Sequence, residues 1–153
     1  MSESQLSAEA LTRVLLEEAD AIDDLTDAIA EQRESVKMGD HLLLQDQMKC
    51  IQDLFFRVQT QEAQRLRLTE PVAKKLGCEA HLSAMAAAMP AAERALFRGA
   101  GERLGYAVLA LKSEMAILSG LIEHNERFSA MLLSEWRRLE GGFTRPAGLD
   151  FKG

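Results

Sequence analysis

Few residues in this chain could do chemistry, and their spacing limits what each could do. Three histidines stand at 41, 81 and 124, and the residues three before them are Met38, Cys78 and Leu121. A di-metal helical bundle needs Glu-x-x-His pairs facing inward, so that motif is absent. Cys78-x-x-His81 is half of a zinc site with no second half nearby, and an ordinary loop cysteine and histidine is the better reading. No metal and no cofactor is therefore expected. The run "GAGERLG" at 99–105 has the spacing G-x-G-x-x-x-G with no strand before it, so the dinucleotide fingerprint fails on both counts. Gly101 and Gly105 read instead as places where another helix comes close or where their own helix is weakened. No serine or cysteine nucleophile sits in a local motif and nothing marks a pocket, so an enzyme is not expected.

Four polar residues are more informative because they interrupt apolar stripes. Glu18 breaks the stripe of the first segment, Glu62 and Arg65 that of the second, and Asn125 that of the third. An asparagine on a core line fixes register and partner number at a cost in stability. About a turn at Gly39, Glu18 faces the 62–65 region, so Glu18 and Arg65 are expected to pair across the hairpin with Glu62 near. The alternative is that each lies solvated at a stripe edge.

Those stripes define the elements. Leu15, Ile22, Ile29 and Val36 recur every seven residues, with Leu11, Glu18, Leu25 and Gln32 four before each. Ser7 caps the start of this helix and Gly39 closes it. Asp40 caps the next helix, whose stripe runs Leu44, Met48, Ile51, Phe55, Val58 and on to Val72 and Leu76, kinked at Pro71. So short a connection makes the two helices antiparallel neighbours. "CEAHLSAMAAAM" reads as a connector holding one short helix. Pro90 opens a third long helix with the stripe Leu104, Leu111, Leu118, Asn125, Leu132, Leu139, ended by Gly141–Gly142. The expectation is one all-α domain over 1–140, with helices about 8–38, 41–76 and 91–140. It is an elongated antiparallel coiled-coil hairpin plus a long third helix, a three-helix rod, followed by a flexible tail at 141–153.

Composition agrees. Of the 153 residues 47% are hydrophobic but only 5% aromatic, which favours helix over strand. The formal net charge of −6 repels nucleic acid and anionic membrane. The first residues have no basic segment followed by an apolar one, and no window approaches the roughly 18 consecutive apolar residues of a membrane span. Cys50 and Cys78 make no disulfide framework. A cytoplasmic protein without membrane insertion is expected.

Length then raises a question. A helix over 91–140 would reach ~75 Å at 1.5 Å per residue, longer than the hairpin beside it. Its last turns, from about Asn125, are expected to project past the Gly39–Asp40 turn with an uncovered stripe. That stripe carries Phe128, Met131, Leu132, Leu133, the single tryptophan Trp136, and Leu139. Such a face is a protein-interaction site, unless the helix bends back or two copies cover each other as a homodimer.

The first hairpin resembles the FlgN-type flagellar export chaperones. The likeness is carried by Leu15, Glu18, Ile22, Leu25, Ile29, Gln32–Arg33, Gly39–Asp40 and Lys49, continues through Arg65–Leu66 and Leu76–Gly77, and ends with Asn125 in the third helix. It implies a small acidic cytosolic helical protein of the flagellar type III secretion apparatus. Such a protein binds the C-terminal region of the hook–filament junction proteins FlgK and FlgL, prevents their premature association, and delivers them to the flagellar export apparatus. The family's cargo-binding portion is C-terminal, which maps here onto Asn125, Phe128, Met131, Leu132, Leu133, Trp136, Leu139 and Phe143. The rival reading is a coiled-coil adaptor or structural homodimer with unrelated partners.

Overall fold

The structure, a computed structural model, describes residues 6–123 and 134–139. The expected tail at 141–153 lies outside them. The described residues form helices α1 (Ala8–Met38), α2 (His41–Leu76), α3 (Leu82–Ala87) and α4 (Ala91–Glu123), and a short helix α5 over 134–139.

Local chemistry sets the boundaries. The Ser7 hydroxyl accepts a hydrogen bond from the Ala10 N–H at 3.1 Å and so caps α1. At the other end Gly39 takes φ 71°, and its N–H returns to the Ser35 and Val36 carbonyls. The Asp40 N–H also reaches the Ser35 carbonyl. This left-handed stop suits glycine because a Cβ there would crowd the backbone. Asp40 then turns outward and accepts from the Leu43 N–H at 3.0 Å, starting α2. Two residues thus end one helix and begin the next. Gly77 repeats the stop at the end of α2, which runs through Pro71 to Leu76.

α1 lies at the centre. It packs along both α2 and α4, whereas α2 and α4 make no comparably close approach to each other. Its central stripe is the expected one, from Leu11 to Val36. A second row, Ala10, Val14, Ala21 and Ser35, is buried beside it. Burial beyond the single two-row stripe that the spacing gives follows from having a neighbour on either side. Full burial of Leu15, Ile22, Leu25 or Ile29 contributes about 1.5–3 kcal/mol each.

Side-chain pairs fix directions. Arg57 reaches Asp24, Gln32 reaches Met48 and Lys75 reaches the Leu6 carbonyl, the pattern of an antiparallel hairpin in steady register about the Gly39–Asp40 turn. Arg103 reaches Asp20 and Asp23, and Arg33 reaches Glu114, so residue numbers rise together and α4 runs parallel to α1.

One expectation needs correcting. By length and composition α4 is apolar enough to cross a membrane, with mean hydropathy 1.4 over its most apolar window. Searching for uninterrupted apolar runs passes over it, because Glu102, Arg103, Lys112 and Glu114 interrupt the run while alanines, leucines and glycines raise the average. Only 39% of that window is buried inside the chain, so the core does not account for all of its apolarity.

Candidate cargo-binding region and buried polar layer

The constant offset between α1 and α4 brings Glu123 level with the Gly39–Asp40 turn. A straight helix continuing from there would hold residues 123 and 137 about 21 Å apart, beyond the reach of an ion pair. The structure instead places Arg137 Nη2 3.1 Å from Glu123 Oε1. α5 therefore lies against the end of α4 and does not extend it. Trp136 is 1% exposed and Leu139 4%, and both belong to the same core cluster as the long helices.

This overturns the projecting, uncovered stripe at the two of its apolar members that are described. The chain covers Trp136 and Leu139 itself. Apolar groups left in water gain by folding back wherever the connection allows it, and heptad counting along one helix does not detect a reversal. Asn125, Phe128, Met131, Leu132, Leu133 and Phe143 lie outside the described residues. Trp136 keeps one mark of an incomplete environment. Its indole Nε1 is buried without a hydrogen-bond partner among the described residues, an arrangement that costs about 1–3 kcal/mol.

The polar layer sits in the middle of the hairpin. Arg65 Nε donates to Glu18 Oε2 at 2.8 Å, and both side chains are almost wholly buried, at 2% and 1% exposure. Glu62 approaches Arg65 Nη2 at 3.8 Å from the rim. Burial pushes the Glu18 carboxyl above its ordinary 4.5, against the pull of Arg65, and neighbouring Glu62 pushes it the same way. Glu18 Oε1 has no hydrogen-bond partner among the described residues. A carboxylate and a guanidinium this deep are tolerated only in register, since sliding either helix would strand both charges. One turn-set nearer Gly39, Gln32 is also fully buried and gives its amide to the Met48 sulfur at 3.7 Å. Gln32 lies on the stripe of the first segment and is, by residue type, a further polar intrusion beside Glu18.

The flank between α1 and α4 is built differently. Arg103 forks to Asp20 at 2.6 Å and Asp23 at 3.1 Å on the surface. On the helical wheel of α1, Ala19 falls between Arg33 and Asp23, toward α4, with Leu15 and Ile22 beside it. The residues of α4 at that level include the buried Phe97, Ala100, Gly101 and Leu104. Ala19, Ala100 and Gly101 are small enough to let the two backbones close in.

His81 has a structural duty: its Nδ1 accepts from the Ala84 N–H at 3.3 Å and caps α3. The Cys78 sulfur lies 3.7 Å from the Ala73 carbonyl. Among the described residues no three His, Cys, Asp or Glu side chains are grouped to hold a metal ion.

No curated protein and no solved structure matches the chain. The family model described as "FlgN protein" does, over residues 1–144, which takes in the hairpin, the polar layer, α4 and α5. The chain belongs to the FlgN family of flagellar export chaperones.

Proposed function

We propose that this chain is a cytosolic chaperone for FlgK and FlgL: it captures their C-terminal region, prevents premature association and hands them to the flagellar type III export apparatus. The observation that carries the cargo site is Trp136, a large apolar side chain held by α5 against the end of α4, with its indole N–H unpartnered among the described residues. A short helical segment draws its stability from the surface it packs on. An amphipathic cargo helix would take the place of the chain's own surface in that contact, meeting Trp136 and Leu139 together with Asn125, Phe128, Met131, Leu132, Leu133 and Phe143. Because cargo must compete with an internal contact, its affinity is lowered by the fraction of chains that are open. Moderate affinity suits a carrier that must let go at the export gate.

Titration calorimetry with the C-terminal segment of FlgK from the same organism, while the emission of Trp136 is followed, tests this. A one-to-one complex with a negative heat-capacity change and an altered tryptophan spectrum is expected, lost in Trp136→Ala. No heat at cargo concentrations of about 200 µM would reject the partner. Full-strength binding by Trp136→Ala would move the site away from α5.

A further inference from the structure

The outward face of α4 carries a second heptad stripe that no described element of the chain covers. It alternates in steps of four and three from Ala95 and Gly99, through Tyr106 and Leu109, to Ala116 and Gly120. Tyr106 and Leu109 are 72% and 64% exposed, and Leu96 and Ile117 stand exposed along one edge. Lone exposed apolar residues need no explanation, but a full stripe at coiled-coil spacing along an already folded helix does.

We propose that this face binds the same face of a second copy, with the two α4 helices antiparallel. The stripe reads the same in both directions about a point between residues 107 and 108: small residues at each end and the two large ones in the middle. Antiparallel pairing sets Tyr106 against Leu109 of the second copy, and Gly99 against Ala116. Charge selects the same arrangement. Glu102 is the one charged residue on the stripe, and pairing puts it opposite Ser113 and beside Lys112 of the second copy. Within the chain neither Glu102 nor Lys112 has an ion-pair partner among the described residues, unlike Arg103 one position away. A Cβ on Gly99 would meet nothing within 4 Å, so the packing of the described residues leaves that space open. A groove of ≈ 500 Å³ lined by Gly99, Arg103, Tyr106 and Ala110 lies alongside, where Ile117 of the second copy would rest. The face is about 39 Å long and ~10 Å wide, which places the contact among small interfaces and makes it a weak, micromolar dimer.

Sedimentation equilibrium of the full chain from about 1 to about 300 µM measures it. A monomer–dimer equilibrium is expected, weakened at least tenfold in Leu109→Glu with helicity unchanged. Glu102→Lys and Lys112→Glu should each weaken it, and the two together should restore it. A monomer at every concentration overturns the proposal, whether the chain's own remaining residues or a cargo helix covers the face. So does a dimer indifferent to Leu109→Glu, or a charge pair whose double reversal fails to recover association. None of these outcomes bears on FlgK binding through α5.

Discussion

α1 meets its two long neighbours by different means. Against α2 the register is held by a two-residue turn and by a buried charge pair, Glu18 with Arg65, that has one acceptable partner position. Against α4 the fit comes from shape: Ala19 on one side, Ala100 and Gly101 on the other, with Arg103 and its two aspartates on the wet rim. The difference separates two ways of specifying a helix pair. A buried charge penalises wrong registers heavily and contributes little to the right one. Small residues reward close approach and tolerate drift.

Breaking the charged side should give the largest effect. Arg65→Leu leaves the Glu18 carboxylate buried and unpaired and should cost about 3–5 kcal/mol by urea unfolding. Glu18→Leu with Arg65→Leu should return to wild-type stability or exceed it by about 1–4 kcal/mol. A double variant as unstable as the single one would show that the pair stabilises the hairpin as well as specifying it. The same carboxyl gives a pH test. Its folded pKa is raised, so between the ordinary 4.5 and the folded value the native chain holds a proton that the unfolded chain has lost. The stability contribution of Glu18 should therefore fall as pH rises through that window. Glu18→Gln should lose that slope, so that it appears as the difference between the wild-type and variant stability-versus-pH curves.

Crowding the other contact should come next. Ala19→Leu adds three carbons where α1 and α4 close in and should cost about 1–3 kcal/mol, read from the thermal midpoint. Stability unchanged within error would mean that the two helices separate freely, and shape would then specify little. The smallest effect belongs to the rim. Arg103→Ala removes an exposed fork to Asp20 and Asp23 and should cost less than about 1 kcal/mol, shrinking further in high salt. A larger loss would mean that the rim, and not the small residues, holds α4 in place.

Much of this was legible in the chain itself. Seven-residue spacing, Ser7, the Gly39–Asp40 pair and Gly77 mark α1 and α2, because stripes and caps are local and each residue's type states its preference. The facing of Glu18 and Arg65 follows from counting outward from a turn too short to leave any choice. The second buried row of α1 was also present as Val14, Ala21, the half-buried Ala28 and Ser35 at seven-residue spacing. Small residues carry a weak signal until a neighbour is known to press on them.

The sequence by itself determined what is periodic: helix length, hairpin register, and the positions of polar residues in the stripes. Tertiary structure decided what depends on meeting. α1 became the middle helix with two buried faces, the outer stripe of α4 was left uncovered by the described residues, and Trp136 and Leu139 turned inward against the end of α4. The physical reason is that periodicity states which side of a helix is apolar, while burial depends on whether another part of the chain returns to cover it. A return is a long-range event that no local spacing encodes.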